Sequence, residues 1–477
     1  METNELLINL YDKTTIREIE NQAINQLKID PIELAKRAAQ ACTELLLEEF
    51  PKAQKILIFC GIGKNAEDGL HIAEQLINLG KSVQIIKATD WEENFNITAD
   101  IIIDALFGIG INRELIGVWQ QIIDKINISK IPVLSVDIPS GIEPDTGQIL
   151  GTAIKASTTV TFIGLKPGLF TGIAKNYTGN IKLNNLGLSL EIYNNLKPRA
   201  IRLTHKDFKE LLLPRAPASH KGNFGKLLIM GGQDSMVGST ILAGQAALRT
   251  GTGVVHVLTN NKQSLPIHAS LEIQMHNFSS PKQLKELINK ATVLLLGPGL
   301  GTDYNAQLFF EHAIKSNLPL VIDADGLNLL AENFTDFDKD LKNRENWILT
   351  PHPKEAARLL NTDVTTIENN RFAAIEDLTN RFKATVVLKG AGTLIKSVDS
   401  PTYVCDLGNP GMATAGMGDL LSGIIASLVA QHLQLKNAAS LGVFMHSIAG
   451  DAAAKEGQRG LIASDLLPFI RKIVNTI

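Results

Sequence analysis

Short apolar runs recur along the chain and are separated by stretches with the periodicity of amphipathic helices. This alternation is typical of parallel sheets covered by helices, because a strand buried on both faces needs a nearly continuous apolar run. The predicted strands are residues 55–60, 82–87, 99–104, 131–137 and 159–164, followed by residues 226–231, 253–258, 292–297, 319–323, 346–350 and 384–389. The sequence therefore predicts an α/β protein.

The chain is too long for a single domain. Its 477 residues exceed the roughly 250–300 residues at which one hydrophobic core stops growing. Residues 196–225 lie between the two groups of predicted strands, and they carry three prolines and few β-branched side chains. We expect the boundary near residue 205, which gives domains of residues 1–205 and 206–477.

The charge and cysteine content exclude several classes of protein. The 46 basic and 49 acidic residues are interspersed and give a net charge of −3, which argues against a nucleic-acid partner or a polybasic membrane surface. Cys42, Cys60 and Cys405 are too far apart to indicate a disulfide framework or a metal site. No apolar run reaches the roughly 18 residues of a membrane span, and the N-terminus is acidic where a signal peptide is basic. We therefore expect a soluble, cytoplasmic protein.

The sequence GNPGMATAGMGDLLSG, residues 408–423, contains five glycines and a single acid, Asp419. It is followed by an apolar stretch that predicts a helix. Glycine at positions 416 and 418 permits positive φ angles and lets the backbone approach a phosphate closely. Asp419 then falls on the first turn of the helix, where backbone N–H groups attract anions. This pattern fits either an ordinary helix start with a glycine turn or a general base beside an anion-binding site.

Four further motifs favour the functional interpretation. GPGLG (297–301), DADGLN (323–328), TPHPKE (350–355) and LKGAGT (388–393) each follow a predicted strand. Ligands of open α/β sheets bind beyond the carboxyl ends of the strands, so these motifs are expected at one sheet edge together with Asp419. Any one of them alone is compatible with a tight turn.

In this order along the chain, these motifs resemble a known family. The second half is similar to the ribokinase-like NAD(P)H-hydrate dehydratases, and the first half resembles the NAD(P)H-hydrate epimerases. The resemblance rests on HKGNFGKLLIMGG (220–232), GPGLG, DADGLN, LTPHPKEAARLL (349–360), LKGAGT and NPGMATAGMGD (409–419), and in the first half on DALFGIG (104–110), VDIPSGIEPDTG (136–147) and TVTFIGLKPGLFTG (159–172). It implies a Rossmann-like three-layer domain followed by a ribokinase-like α/β domain.

The resemblance also implies the chemistry of the second half. Hydrated NADH or NADPH carries a hydroxyl group at C6 of the nicotinamide ring, and hydroxide is a poor leaving group. The family's dehydratases phosphorylate this hydroxyl from ADP, with Mg²⁺, and elimination of phosphate restores the ring. Asp419 would be the base, and the backbone N–H groups of residues 415–418 would stabilise the moving phosphoryl group.

Residues for ligand binding in the second half follow from the same resemblance. The implied nucleotide contacts are Lys389, Gly390, Ala391, Gly392, Thr393 and Gly418, and the implied hydrate contacts are Ser239, Gly299, His352 and Asp419. Ser239 stands where the family usually has alanine. His352 also fits a histidine bonded within a proline-stiffened loop. Asp323 and Asp325 either hold their loop or bind Mg²⁺, and both alternatives stay open at this point.

In the first half, the glycine loop GIGKNAEDG (61–69) departs from the family pattern G-x-G-N-N-G-G-D-G. The resemblance implies hydrate binding by Lys64, Asn65, Ala66, Glu67, Asp68, Gly108, Ile109, Gly110, Ile111, Asn112, Arg113, Glu114 and Asp137, and K⁺ binding by Asn65, Asp104 and Ser140. Asp137 is also the expected proton-transfer residue. We expect weaker hydrate binding, because Ala66 is strained if its backbone is left-handed and Glu67 adds negative charge, which Lys64 opposes.

The expected partners are small molecules: the hydrates NADHX and NADPHX, and ADP. We expect no nucleic-acid or membrane partner, and we expect a homo-oligomer. Two other functions remain open from the sequence alone. The second half fits a ribokinase-like small-molecule kinase, such as a hydroxyethylthiazole or pyrimidine kinase, and the first half fits a non-catalytic binding module.

Overall fold

The computed structural model describes residues 6–208, 210–260, 271–337 and 344–476, without side-chain positions for residues 334–337. The chain forms two compact units, Met1–Arg202 and Leu203–Ile477. Each unit contains its own clusters of buried apolar side chains.

The first unit contains a six-stranded parallel sheet with the strand order β3-β2-β4-β5-β6-β7. Two short strands, β1 and β8, pair with each other antiparallel. The strands are β1 Asn9–Leu10, β2 Lys55–Cys60, β3 Ser82–Lys87, β4 Ile101–Ala105, β5 Val133–Val136, β6 Thr158–Phe162, β7 Asn180–Asn184 and β8 Ala200–Arg202.

Helices cover this sheet: α1 Lys13–Asn25, α2 Pro31–Glu49, α3 Lys64–Asn78 and α4 Val118–Ser129. Local sequence explains where the first two begin. The Asp12 carboxylate accepts a hydrogen bond from the Thr15 amide, and the Asp30 carboxylate accepts one from the Ile32 amide, with Pro31 at the first helical position. Such caps satisfy N–H groups that have no acceptor within the helix.

The second unit contains strands in the order β17-β16-β15-β14-β13-β12-β9-β10-β11. The neighbours from β15 to β11 are parallel, whereas β16 and β17 are added antiparallel. The strands are β9 Lys226–Met230, β10 Val254–Thr259, β11 Gln274–Asn277, β12 Val293–Leu296, β13 Leu320–Ile322, β14 Trp347–Leu349, β15 Thr385–Leu388, β16 Thr393–Lys396 and β17 Thr402–Cys405.

The helices of this unit are α5 Val237–Thr250, α6 Pro281–Lys290, α7 Tyr304–Ile314, α8 Asp325–Phe337, α9 Pro353–Leu360, α10 Val364–Asn369, α11 Arg371–Phe382, α12 Met417–Ala430, α13 Leu435–Ala453 and α14 Leu467–Ile473. Helix α12 is buried from Leu420 to its end. A Cβ atom at Gly423 would lie only 2.2 Å from the Ala243 carbonyl oxygen of α5, so a glycine allows these two helices to pack closely.

All the strands predicted from the sequence are present, with ends that shift by up to two residues. The predicted helix after the glycine cluster is also present as α12. The sequence analysis missed β1, β7, β8, β11, β16 and β17. No described helix is long and apolar enough to cross a membrane. All three cysteines are buried.

Candidate active sites

The motifs predicted to meet in the second unit do lie along one sheet edge. Gly297, Asp323 and Thr350 directly follow β12, β13 and β14, and their amides donate to the last residues of the neighbouring strands at 3.0–3.1 Å. The Lys389 amide, which follows β15, donates to the Pro351 carbonyl at 2.9 Å. The carboxyl ends of these four adjacent parallel strands therefore lie side by side along one edge of the sheet.

Asp419 lies on the first turn of α12, next to this sheet edge. The helix begins after Gly416, which has a φ angle of 88°. Burial, and then repulsion from Asp323, raise the pKa of Asp419 to about 6, although a hydrogen bond with Ser239 and the nearby Lys389 oppose the shift. A carboxylate with such a pKa can accept a proton near neutral pH.

The two glycines of the AGMGD turn have different conformations. Gly416 has a positive φ angle, whereas Gly418, which could also adopt one, is an ordinary helical residue of α12. A Cβ atom at Gly418 would lie 3.4 Å from Lys389 Nζ and 3.8 Å from Asp323 Oδ2. Its missing side chain therefore leaves open the space directly beside the charged groups of the site.

A lysine and two acids form the centre of the site. Lys389 Nζ donates to Asp323 Oδ1 at 2.8 Å and lies 3.8 Å from Glu355 Oε2. Burial acts to lower the pKa of Lys389, but attraction to the two acids outweighs it and the pKa is raised. Burial raises the pKa of Glu355 to about 7 against the attraction of Lys389. The sequence analysis gave no role to Glu355, although its TPHPKE motif contains this residue.

Asp325, like Asp323, stabilises the loops at the sheet edge. Asp325 Oδ2 accepts a hydrogen bond from the Gly301 amide at 2.8 Å, and its Oδ1 accepts one from the Asn328 side chain. Asp323 is paired with Lys389. The contacts of Asp325 fit the loop-holding alternative, and Mg²⁺ binding by either acid stays a prediction.

His352 caps helix α9. Its Nδ1 accepts hydrogen bonds from the amides of Lys354 and Glu355 at 3.1 and 3.2 Å, and its Nε2 lies 3.3 Å from Glu355 Oε1. Burial, and then the charge of Lys389, lower the pKa of His352. The histidine is thus bonded within a proline-stiffened loop, as the simpler interpretation from the sequence expected.

Gly299 and residues 390–393, also implied for ligand binding, lie in the segments that follow strands β12 and β15. Gly299 has a φ angle of 58°, and a Cβ atom there would lie 2.6 Å from the Met236 carbonyl oxygen. Residues 389–392 form the turn between β15 and β16, with positive φ angles at Gly390 and Gly392. The Thr393 hydroxyl donates to the Gly390 carbonyl at 2.9 Å.

In the first unit, a cleft of about 720 Å³ contains most of the residues implied for the epimerase. It is lined by Lys64, Asn65, Glu67, Asp68, Gly108, Ile109, Gly110, Ile111, Asn112, Arg113 and Asp137, with further residues mainly from α1 and α2. Ala66 and Glu114 are not among its lining residues. Asp104 and Ser140 lie behind the cleft and are fully buried.

Asp137 is held by a lysine that the sequence analysis missed. Lys166 is fully buried, and its Nζ donates to Asp137 Oδ1 at 2.5 Å and to Thr161 Oγ1 and the Phe162 carbonyl at 2.8 Å. Burial lowers the pKa of Lys166, against the attraction of Asp137. The signal in the sequence was a lysine four residues after the buried strand β6, inside the motif at residues 159–172.

Asp137 has an unusual backbone conformation and lies in the wall of the cleft. Its φ angle of 69° is uncommon for a residue other than glycine, and such strain often occurs at active sites. Its Oδ2 is 3.5 Å from the Cβ position of Gly108 in the wall of the cleft. Burial, and then repulsion from Asp137, raise the pKa of the nearby Asp68 to about 8. The cleft therefore contains two acids in different environments: Asp137 is paired with Lys166, whereas burial and a neighbouring acid raise the pKa of Asp68.

The three residues implied for K⁺ binding lie around the loop that contains Phe107 and Gly108. Asp104 accepts hydrogen bonds from the Ser140 hydroxyl and amide at 2.6 and 2.9 Å. Ser140 Oγ also contacts the Phe107 backbone, and Asn65 Oδ1 lies 3.4 Å from the Cβ position of the following Gly108. Asn65 Nδ2 is buried and has no partner among the described residues. The oxygen atoms in this group are the ligand type that hard cations prefer.

The altered glycine loop folds without strain. Gly63, with a φ angle of 89°, precedes α3, and Ala66 is a buried residue inside that helix. The condition under which Ala66 would be strained, a left-handed backbone, is therefore not met. Lys64 Nζ pairs with Glu20 Oε1 of α1 at 2.7 Å. The positive charge of Lys64 is therefore already balanced by Glu20, and it opposes the negative charge of Glu67 less than the sequence suggested.

The sequence matches two family models, one in each half of the chain. The family model for NAD(P)H-hydrate dehydratase matches residues 227–472. The family model described as YjeF-related protein N-terminus matches residues 31–93 and 85–168. The second unit thus has the sequence of the NAD(P)H-hydrate dehydratase family.

Curated relatives match over nearly the whole chain. The bifunctional NAD(P)H-hydrate repair enzyme Nnr of Coxiella burnetii is 41% identical over 493 residues, covering 98% of this chain and 99% of the relative. The Escherichia coli enzyme of the same name is 36% identical over 490 residues, covering 96% and 93%. The chain belongs to the family of bifunctional NAD(P)H-hydrate repair enzymes, which combine dehydratase and epimerase domains.

Solved structures agree with the fold of the second unit. A ribokinase-like superfamily protein from Enterococcus faecalis is 28% identical with a TM-score of 0.54, covering 59% of this chain and 98% of that protein. A protein from Streptococcus mutans is 32% identical with a TM-score of 0.51, covering 56% and 96%. The α/β class and the ribokinase-like fold expected from the sequence are confirmed.

Proposed function

We propose that residues 1–205 interconvert the R and S hydrates of NADH and NADPH, and that residues 206–477 dehydrate the S hydrate with ADP. The family matches within residues 31–168 and at 227–472 support this division. The observation that carries the proposal is the position of Asp419, a half-buried acid on a helix N-terminal turn beside Lys389 and Ser239.

In the proposed dehydration, Asp419 accepts the proton of the C6 hydroxyl as that oxygen attacks the terminal phosphoryl group of ADP. AMP leaves, and the N–H groups of residues 415–418 stabilise the charge on the moving phosphoryl group. The C6–O bond then breaks and releases phosphate. Loss of a proton from C5 restores the double bond. Ser239, Gly299 and His352 would hold the hydrate in position.

The loop Lys389–Thr393, with Gly418, would bind the nucleotide. Among the described residues, no group of three or more His, Cys, Asp or Glu side chains is arranged to hold a metal ion. Asp323 is also already paired with Lys389. Mg²⁺ would therefore enter with ADP and be held mainly by phosphate oxygens and water, as is common for this ion.

In the proposed epimerisation, water leaves C6 and returns to the other face of the ring. Asp137 would donate one proton to the leaving hydroxyl and take one back from the entering water. Lys166 holds Asp137 Oδ1, so Oδ2, on the Gly108 side, is the oxygen that faces the substrate. Asn65, Asp104 and Ser140 would bind K⁺, which supplies a fixed positive charge near the site.

One assay tests both activities. The full chain is incubated with separated hydrate epimers, ADP, Mg²⁺ and K⁺, and the returning dihydronicotinamide absorbance is followed together with AMP and phosphate. We expect equal amounts of NAD(P)H, AMP and phosphate, and consumption of the R hydrate as well. A stable phosphorylated product would indicate a small-molecule kinase. Consumption of the S hydrate alone would indicate a non-catalytic first unit. The homo-oligomer and the cytoplasmic location remain predictions.

A further inference from the structure

The second unit buries an arginine directly behind the loop that is proposed to bind the nucleotide. Arg371, the first residue of α11, has a side chain that is 1% exposed. Its guanidinium donates to the carbonyl oxygens of Leu388 and Lys389 at 3.2 and 3.0 Å, and to Glu368 Oε1 at 3.1 Å. Burying a guanidinium costs free energy that only good hydrogen bonds offset. Two of these three hydrogen bonds go to the backbone where β15 leads into the loop.

The backbone of the loop packs closely against this guanidinium, with a glycine at the point of contact. Gly390 has a φ angle of 140°, and a Cβ atom there would lie 2.9 Å from Arg371 Nη2, so a side chain at 390 would collide with Arg371. The Lys389 amide donates to the Pro351 carbonyl at 2.9 Å. The backbone of Lys389 is thus fixed on both sides, by Pro351 through its N–H and by Arg371 through its C=O.

This arrangement matters for an anionic ligand. Carbonyl oxygens carry partial negative charge and repel phosphate, whereas backbone N–H groups attract it. Arg371 draws the carbonyls of Leu388 and Lys389 towards the protein interior. These oxygens therefore point away from a phosphate that approaches the outer side of the loop.

We propose that Arg371 is a positioning residue for the nucleoside diphosphate: it holds the backbone of Lys389–Thr393 in the conformation that binds the phosphates, without touching them. The inference rests on the proposed nucleotide-binding role of this loop. Arg371 is not among the residues implied by the family resemblance.

The test uses the full chain and the variants Arg371→Met and Arg371→Lys, with Arg381→Met as the matched control. Arg381 lies on the same helix but is exposed. Loss of hydrogen bonds from a charged group is expected to raise the KM for ADP by about tenfold or more in Arg371→Met. The KM for the S hydrate should change much less. Arg371→Lys should restore part of the ADP affinity, and Arg381→Met should match the original protein.

A purely structural role predicts a lower melting temperature with an unchanged KM for ADP in the folded protein, and that result would overturn the inference. If Arg371→Met does not fold, Arg371→Lys decides, because an unchanged KM for ADP in that variant also overturns it. Gly392→Ala separates this inference from the proposed function. Gly392 has a φ angle of 65°, so alanine distorts the loop itself. If Gly392→Ala leaves the KM for ADP unchanged, the loop does not bind the nucleotide.

Discussion

At the scale of single residues, the surroundings of each acid decide what chemistry it can perform. Asp419 is half-buried near another acid, which raises its pKa to about 6. Asp137 has an ammonium group at 2.5 Å. The sequence identified both acids but not their partners, because Lys166 is 29 residues from Asp137 along the chain and only the fold brings the two together.

Replacing Asp419 by asparagine should remove the base and keep the shape of the site. We expect the dehydration rate to fall on the order of 10² to 10⁴ fold, while ADP binding, measured by calorimetry, is retained. In the original protein Asp419 must be unprotonated, so kcat/KM should decrease as the pH falls below about 6. Near-normal turnover of Asp419→Asn would contradict the assignment.

Replacing Lys166 by methionine should leave the Asp137 carboxylate without its buried partner. Breaking such a pair is expected to lower the free energy of unfolding by about 3 kcal/mol, and epimerisation of the R hydrate should slow strongly. Urea unfolding and the epimerase assay measure the two effects. Lys64→Met is the control, because the Lys64 side chain is 76% exposed and surface pairs contribute little. Equal losses of stability in the two variants would show that the buried Lys166–Asp137 pair contributes no more to stability than the exposed Lys64 pair.

At the scale of elements, the buried parallel strands were predictable and the edge strands were not. Strand β4 has all five residues buried and appears in the sequence as an apolar run. Strand β7, at the sheet edge, has the sequence NIKLN with no fully buried residue, and β16 and β17 are short antiparallel additions. Their pairing depends on contacts that no local pattern records. The glycine motifs predicted the position of the site, but not the helical conformation at Gly418 and Ala66.

The two glycines of the AGMGD turn should respond differently to alanine. Gly416→Ala places a Cβ atom 2.7 Å from Leu242 Cδ1 at a φ angle of 88°, so a loss of roughly 1–3 kcal/mol of stability is expected. Gly418→Ala meets only ordinary contacts, and its stability should be unchanged or slightly higher. Its added methyl group should instead raise the KM for ADP. Thermal unfolding and steady-state kinetics separate the two effects, and similar melting temperatures for both variants would refute the distinction.

At the scale of the whole molecule, each unit has its own clusters of buried apolar side chains. The sequence predicts more than one domain because chain length limits the size of one core. The sequence could not indicate where individual side chains from distant segments meet, such as Lys64 and Glu20, which are 44 residues apart.

A fragment of residues 203–477 should therefore fold and dehydrate the S hydrate in the presence of ADP, but not the R hydrate. Its core cluster lies entirely within these residues. Circular dichroism and the absorbance assay with each epimer measure folding and activity, with the full chain as the reference. An insoluble or inactive fragment would mean that the second unit needs the first in order to fold.

The three buried cysteines have a practical consequence. Burial raises the pKa of the Cys42 and Cys60 thiols, and Cys405 is also buried, so thiol-directed dyes should react slowly with the folded native chain. A cysteine introduced at the exposed Ser235 or Glu67 would then carry the label almost alone. Fluorescence from these two positions would report ligand binding in the second and the first unit separately, without any need to remove the native cysteines.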